Sequence, residues 1–523
     1  MSTVETQFDE RTATIPAWLR LVGAALVVLV AVAIGLAALE RGQVELLFLL
    51  VGAAIFGYAS LSRPNIAIYL AMFLLYTNTT VIAQRFHGMP HPVVFSVPLL
   101  LLMPISYRVL FRGEQIVFPR VTVWITLFLM VQAIGALLSI DPPAAFEGVL
   151  VSITEGALLF LLIVNAVRTE QVLRGVVWAL LAGGAFLGAI SAHQYLTNSY
   201  DKTYGGFAQT EGKGFGVQGE RVKVIQHRAA GPLAGENRYA QIMLMLFPLG
   251  LFQFFGERKA SLRWLAVAAT VLIMIGWALT FSRGSTIALC MTVAAMACLG
   301  HLRLRHLVSV GALAVLLLLA IPQFRARLES LETLPALLTG KVTSTNRPDG
   351  AVNGRVTEMM AALRVYADHP ILGVGPSMFR NYSQEYGNVG GLKALETRRE
   401  AHCFYAAVAA EFGTIGMIAL LGGVFVTLRD LHRTRRMCAE SHPLLSRLAT
   451  GFFFMIVVYM TTGIFEHFSF IRYFWTMMAL ATACVCIASR ILQENAAEEG
   501  TVTCNPRSDS LASETPNFRK FCR

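Results

Sequence analysis

A single histidine stands at the mouth of an apolar segment, directly after the longest polar interruption of the chain, residues 323–399. His402 belongs to the stretch EAHCFYAAVAAEFGTIGM, residues 400–417. An imidazole at such a boundary can accept a proton near neutral pH and serve as a general base. An interfacial histidine with ordinary hydrogen bonds is the alternative. Glu400 and Glu411 are the carboxylates that can support it, although Glu411 lies about 13 Å further along a helix and cannot touch His402 within it.

Arginines form the second group of candidates. The stretch RAAGPLAGENRYA, residues 228–240, places Arg228, Asn237 and Arg238 where an apolar span begins. A guanidinium there can bind two phosphate oxygens at the depth of lipid headgroups, or it can anchor the span by snorkelling. Arg283, in TFSRGST, lies in a connection between two spans that is too short to reach into water. A cation at that depth needs an anionic partner, either a substrate or a carboxylate such as Glu411 or Glu466.

A third candidate element lies in the polar interruption itself. Asn353 is a plausible N-cap, Pro370 ends the pattern, and the turn GVGP follows at residues 373–376. Apolar residues recur between them at helical spacing: Val356, Met359, Met360, Leu363 and Tyr366. We therefore predict a short amphipathic helix that carries Arg355, followed by a turn whose two glycines can bring backbone N–H groups close to a ligand.

Several motifs of soluble enzymes are missing from the sequence. There is no GxSxG elbow, no P-loop, no HExxH and no DxD-type acidic cluster, and the 8 cysteines show no CxxC spacing. The sequence therefore indicates neither a metal nor a nucleotide cofactor. Any group donor should already be activated and should reside in the membrane.

The elements that must position these residues are membrane helices. The chain is 55% hydrophobic and only 14% charged, with a net charge of +11, whereas soluble domains carry about 25% charged residues. Apolar stretches of about 20 residues recur throughout, each long enough to cross a bilayer as a helix. We predict an all-α, polytopic transmembrane bundle of about 12–14 spans and no nucleic-acid partner. The candidate spans begin near Trp18, Val44, Asn65, Val93, Val121, Gly148, Val172, Arg238, Leu262, Gly284, Arg305, Ala401, Ala449 and Ile471.

The distribution of positive charge predicts the orientation of the bundle. The short loops between alternate spans differ strongly in Lys and Arg content, and the richer set lies on the same side as both termini. The positive-inside rule places that side in the cytoplasm and the two long polar loops outside. The predicted regions are a cytoplasmic tail (1–17), membrane regions (18–195, 238–322 and 401–491), external loops (196–237 and 323–400) and a disordered cytoplasmic tail (492–523).

Four blocks of this sequence resemble the O-antigen ligase and polymerase superfamily of bacterial membrane glycosyltransferases. They are RAAGPLAGENRYA at 228–240, TFSRGST at 280–286, GRVTEMMAALRVYADHPILGVGPSMF at 354–379 and AHCFYAAVAAEFGTIG at 401–416. The resemblance implies a metal-independent enzyme of the bacterial inner membrane. Such an enzyme moves a glycan from undecaprenyl diphosphate to an acceptor hydroxyl, on lipid A-core or another glycan, at the periplasmic face.

The same resemblance implies roles for particular residues. Arg228, Arg283 and, on a weaker match, Arg355 correspond to arginines that grip the donor's diphosphate, and His402 corresponds to the base acting on the acceptor. Many members have asparagine after this histidine, whereas this chain has Cys403. The role that the asparagine plays elsewhere is therefore open here.

The residues leave more than one function open. A ligase transfers to lipid A-core and a polymerase to another lipid-linked repeat, and no residue separates the two. A transporter, from a different functional class, is expected to show charged residues near the middle of broken spans, whereas the candidates here gather at one face. A purely structural membrane subunit is the remaining alternative.

Overall fold

The fold is described from a computed structural model, for residues 64–90, 97–209, 211–215, 221–225, 227–301, 350–388, 397–467 and 471–502. The spans predicted near Trp18, Val44 and Arg305 lie outside these residues. The start of the span predicted near Val93 also lies outside them, and the ten remaining predicted spans coincide with helices.

The described residues form a bundle of apolar helices with short connections. In chain order the helices are α1 (Pro64–Tyr76), α2 (Thr79–His87), α3 (Leu102–Arg112), α4 (Val121–Leu137), α5 (Pro142–Val151), α6 (Leu159–Ala166), α7 (Glu170–Leu196), α8 (Glu236–Gly256), α9 (Ala260–Ala278), α10 (Arg283–Cys298), α11 (Gly350–Asp368), α12 (Phe379–Gly387), α13 (Phe404–Met437), α14 (Pro443–Thr462) and α15 (Ile471–Val502). A π-helical turn, Ser152–Leu158, joins α5 to α6.

Seven helices in the described part of the chain are long and apolar enough to cross a membrane, when α5, the π-helical turn and α6 are counted as one. The bent pair of α1 and α2, taken as one span, makes an eighth. Two further apolar helices, α4 and α10, are shorter. The predicted all-α, polytopic bundle is therefore confirmed, and the chain is a multi-pass membrane protein. One small addition is a two-stranded antiparallel hairpin of β1 (Glu211–Phe215) and β2 (Arg221–Ile225), inside the first predicted loop.

Two local predictions were wrong. The helix α11 begins at Gly350 instead of being capped by Asn353. The tail predicted to be disordered from residue 492 is helical as far as Val502, because Ala, Glu and Gln favour helix and Arg490 Nε donates to Glu494 Oε1 one turn later, at 2.8 Å.

The middle of the bundle is built around α8. Its side chains Tyr239, Met243 and Leu246 are buried, and α8 packs against α9 and α14 along much of its length. Tyr239 OH lies 2.9 Å from Ser191 Oγ on α7, and its ring fills the space beside Gly231, where a Cβ atom would lie 2.4 Å from the ring. These contacts fix the segment before α8, which includes Arg228.

The helix α13 is interrupted at Gly413, whose φ of 63° and ψ of −166° are not helical. Residues 370–375 lie in this break. Val374 N donates to Ala410 O at 2.9 Å, Gly375 N to Glu411 O at 2.9 Å, and Thr414 N to Pro370 O at 2.8 Å. The turn after α11 is thus bound to α13. We expected this turn to offer backbone N–H groups to a ligand. The N–H groups of Val374 and Gly375 do not do so, because carbonyl groups freed by the break accept them.

We predict that Gly413→Ala destabilises the protein by about 1–3 kcal/mol, because few residues other than glycine adopt this backbone conformation. In addition, the new Cβ would lie 2.3 Å from Ile371 O. Thermal unfolding in detergent measures the effect. Gly423→Ala, in the regular part of the same helix with Trp124 Cβ at 3.3 Å, is the control and should change stability by less than about 1 kcal/mol. Equal melting temperatures for both variants would contradict the prediction.

Candidate functional site

A buried carboxylate holds the candidate base. His402 Nδ1 lies 2.6 Å from Glu358 Oε2 on α11. The His402 side chain is 33% exposed, whereas that of Glu358 is 1% exposed. A carboxylate oxygen only accepts hydrogen bonds, so Nδ1 carries the hydrogen in this contact. In the neutral imidazole Nε2 then keeps its lone pair, and the exposed part of the ring can accept a proton.

Glu358 has a second partner. Arg399 Nη1 donates to Glu358 Oε1 at 3.2 Å. An ionised carboxylate is costly to bury unless both oxygens are matched by charge or hydrogen bonds. His402 and Arg399 together supply this match, and they join the segment before α13 to α11.

A second histidine adjoins the first. The rings of His402 and His467 lie 5.4 Å apart, at an interplanar angle of 64°. His467 Nε2 lies 2.7 Å from Glu400 Oε2 and 2.5 Å from Arg238 Nη2. Nε2 of His467 cannot donate to the carboxylate and accept from the guanidinium at the same time. Because a carboxylate can only accept, we place the hydrogen on Nε2 and have it donated to Glu400. Arg238 then adds positive charge beside the pair.

The hydrogen bond from His467 is the largest influence on Glu400 and lowers its pKa to about 2. Partial burial opposes this shift, and the charges of His467, Arg238 and Arg380 support it. Glu400 is therefore an anion at neutral pH, and it binds His467. The carboxylate that contacts His402 is instead Glu358.

The first two arginine-bearing blocks meet beside this pair of histidines. Ala229 N donates to Leu279 O at 2.9 Å, and Arg228 Nε donates to Thr280 O at 2.8 Å. Arg228 is thus held by the protein, directly before the turn that leads to Arg283.

Arg283 is the first residue of α10, and Ser282 caps that helix through Ser285 N. The next residue, Gly284, lies so close to Phe465 that a Cβ atom would be 2.7 Å from Phe465 Cβ. Phe465 belongs to the turn that carries His467. Arg283 is half-buried beside this turn.

The structure brings most of the predicted site residues together. Contacts connect Arg228 to the Arg283 turn, that turn to the His467 turn, and His467 to His402 and Glu400. Arg355 lies one helical turn before Glu358 on α11, and Asn237 lies in the first turn of α8 beside Arg238.

Glu411 is the exception among the predicted residues. Its side chain lies at the turn before α12, with Ser377 and Met378, whereas the carboxylate bonded to His402 is Glu358.

Glu358, Arg399 and His467 were not selected from the sequence. The apolar face predicted for α11 was wrong in part, since Met360 and Leu363 are exposed at 37% and 42%, whereas Met359 packs against the core. The buried face includes Thr357, Glu358, Ala361, Ala362 and Val365, the last four at positions i, i+3, i+4 and i+7. A glutamate aligned with small apolar residues at this spacing was the available signal for a buried, partnered carboxylate.

In the part of the chain that the structure describes, no group of three or more His, Cys, Asp or Glu side chains is placed to hold a metal ion. The positive charge of the site comes from Arg228, Arg238, Arg283 and Arg399.

Comparison with known families identifies part of this arrangement. Residues 268–421 match the model of a family described as O-antigen ligase. Residues 268–421 thus resemble an O-antigen ligase domain. The matched segment contains Arg283, Arg355 and His402, whereas Arg228 and Asn237 precede it and His467 follows it. The resemblance to the O-antigen ligase and polymerase superfamily is thus confirmed, and the family implies a glycosyltransferase-like enzyme of lipopolysaccharide biosynthesis. The comparison with curated proteins finds no match.

We predict that Glu400→Gln removes an acid-dependent part of the stability. The folded protein keeps Glu400 ionised down to about pH 2, whereas an unfolded chain protonates it near pH 4.5. The stabilisation is therefore complete above pH 4.5 and is lost as the pH falls towards 2. The difference in unfolding temperature between wild type and Glu400→Gln should narrow as the pH is lowered from about 6 to about 3.

Thermal scans in detergent at several pH values measure this difference. The control is Glu385→Gln, which removes an exposed carboxylate of α12. The difference in unfolding temperature between wild type and the control should not change with pH. If the difference between wild type and Glu400→Gln is also constant with pH, the lowered pKa of Glu400 is contradicted.

Proposed function

We propose that this protein is an O-antigen ligase that moves a glycan from undecaprenyl diphosphate to an acceptor hydroxyl at the periplasmic face of the inner membrane. The observation that carries the proposal is the contact of His402 with buried Glu358, next to arginines from two other sequence blocks, within and beside the O-antigen ligase domain. The acceptor is lipid A-core or a similar glycan. The reaction uses no metal.

The base step follows from the hydrogen bond to Glu358. With the hydrogen on Nδ1, Nε2 of His402 accepts the proton of the acceptor hydroxyl. The hydroxyl oxygen forms a bond to the anomeric carbon of the donor sugar as that carbon's bond to the diphosphate oxygen breaks. The electron pair of the broken bond leaves with undecaprenyl diphosphate, and Glu358 stabilises the imidazolium that forms.

The arginines act on the leaving group. Diphosphate leaves readily once its developing charge is neutralised, and guanidinium groups fixed in a partly dehydrated site provide this stabilisation without reorganising. Arg228 and Arg283 take this role, with Arg355 as a further contact to the same group. Asn237 supports Arg238 at the start of α8. The segment of α11 and the following turn excludes water that would hydrolyse the donor.

A polymerase that uses the same donor is the second candidate, because the family shares this donor chemistry. It differs in the acceptor, which is another lipid-linked repeat. Deletion of the gene separates the two. Loss of all glycan attachment with accumulation of the lipid-linked polymer supports the ligase, whereas attachment of a single repeat supports the polymerase.

We predict that His402→Ala lowers the transfer rate by about 10²–10⁴-fold, because the acceptor hydroxyl loses its base. Arg283→Ala should lower the rate by about 10²–10³-fold through loss of charge stabilisation. Transfer from a purified lipid-linked donor is measured with enzyme in nanodiscs, at a temperature at which both variants are shown to be inserted and folded. Full activity in either variant would remove that residue from the mechanism.

We also predict that Glu358→Gln reduces transfer by about 10²-fold. Glutamine has the same size, but its NH₂ group can donate to Nδ1 and so favour the tautomer whose Nε2 carries the hydrogen and cannot act as a base. Asp368→Asn, on the same helix with its carboxylate bound to Tyr386 OH at 2.7 Å, is the matched control and should keep wild-type activity. Equal activities of the two variants would exclude a positioning role for Glu358.

A further inference from the structure

A separate cleft of about 520 Å³ opens beside the candidate site. Its walls come from α4, α5, the first π-helical residue, the segment from the turn after α11 into α12, and α13 with the segment before it, which contribute Glu411, Phe412 and Arg398. The polar residues that line it include Gln132, Asp141, Glu147, Ser152, Arg380 and Arg398.

Gln132 is the decisive residue of this cleft. It lies within the apolar helix α4 and is 1% exposed, yet neither its amide oxygen nor its amide nitrogen has a hydrogen-bond partner in the described structure. A buried amide without partners is costly, and such groups in native proteins call for a specific explanation. An amide that lines a cleft with one donor group and one acceptor group unused suits a ligand with hydroxyl groups.

The rest of the lining agrees with a polyhydroxylated ligand. Asp141 and Glu147 offer acceptors, Arg380 and Arg398 offer donors, and all four are exposed. With Glu411 the cleft is lined by three acidic and two basic side chains, so it has no excess of positive charge to select a diphosphate. Met378 and Phe412 add apolar surface on which the C–H face of a sugar ring can pack.

The segment before α13 connects the cleft to the candidate site. Arg398 lines the cleft and donates to Asn381 Oδ1 at 3.0 Å, while its neighbour Arg399 binds Glu358, the partner of His402. Arg380, on the cleft rim, is also close enough to Glu400 for its charge to act on that carboxyl. The cleft and the candidate site therefore share one short chain segment, from Arg398 to His402.

We infer that this cleft binds the saccharide chain of the acceptor and presents one of its hydroxyl groups to His402. The inference rests on the proposed transfer reaction. It assigns the two substrates to different elements, with the donor's diphosphate at the arginines of the α8 and α10 segments and the acceptor saccharide between α4, α5 and α12.

The test uses two cleft variants and one control in the full-length protein in nanodiscs. Gln132→Leu removes the amide and keeps the volume. Ala144→Trp fills the cleft from α5. Leu150→Trp, at a position of the same helix that is 61% exposed, adds the same ring outside the cleft and is the control.

Binding is measured directly with the water-soluble oligosaccharide released by mild acid from the bacterium's outer-membrane glycolipid. We expect Gln132→Leu and Ala144→Trp to weaken binding about tenfold or more, while Leu150→Trp binds as wild type does. Gln132→Leu should not lower the melting temperature, because it removes an unsatisfied buried amide. A purely structural role for Gln132 predicts a lower melting temperature and unchanged binding.

Three results would overturn the inference. They are no binding of the oligosaccharide to the wild-type protein, wild-type affinity in both cleft variants, or competition by inorganic pyrophosphate as strong as by the unlabelled oligosaccharide. Kinetics distinguish an acceptor saccharide in the cleft from the glycan of the donor. The acceptor assignment requires that Ala144→Trp raise the KM for the acceptor and leave the KM for the donor unchanged. The opposite pattern would assign the cleft to the donor glycan and refute the acceptor assignment. Since binding is measured without transfer, loss of the proposed reaction alone would leave the binding result intact.

Discussion

A buried negative charge is the constraint on which the site depends. Glu358 is almost fully enclosed, and its two oxygens are matched by His402 on one side and Arg399 on the other. Removing either partner would leave an incompletely compensated charge in a poorly hydrated place, which costs several kcal/mol, typically about 3–5. This requirement fixes the position of the segment before α13 relative to α11, and it fixes which nitrogen of His402 carries a hydrogen. The orientation of the candidate base is therefore a consequence of the burial of its partner.

The break in α13 provides the mechanical connection. Regular helix would leave Ala410 and Glu411 no carbonyl groups for another segment, whereas the break at Gly413 frees them for the N–H groups of the turn after α11. The Glu411 side chain lies beside the next part of the same turn, with Ser377 and Met378. One irregularity thus holds both α11, which carries Glu358, and the wall of the saccharide cleft. A glycine with a left-handed backbone in a membrane helix has a clear structural purpose here.

Neighbouring residues divide the site into two parts. Arg398 faces the cleft and Arg399 binds Glu358, and four residues after Arg398 the chain reaches His402. One short segment thus contributes one side chain to the cleft and the next to the partner of the base. The arginines at Arg228 and Arg283 come from elements that are distant in sequence, and their contacts with Thr280 and the His467 turn bring them to the same region.

The sequence by itself determined the membrane-spanning helical class, because lipid leaves backbone groups no alternative to helix over long apolar stretches. It also indicated His402, Arg228 and Arg283, since charged and titratable residues at the ends of apolar spans are few and chemically conspicuous. It did not determine the partner of His402, because Glu358 is separated from it by 44 positions in sequence. The buried face of α11 was misjudged for a related reason, because small residues such as Ala361 and Ala362 pack more closely against α13 than the larger methionines that dominate a hydropathy pattern. Only the tertiary structure decided which carboxylate supports which histidine. It also showed that Gln132, a polar residue in an apolar helix, lines a cleft. Pairings of this kind depend on which helices meet, and in a bundle of similar apolar helices that choice is made by packing between segments far apart in the chain.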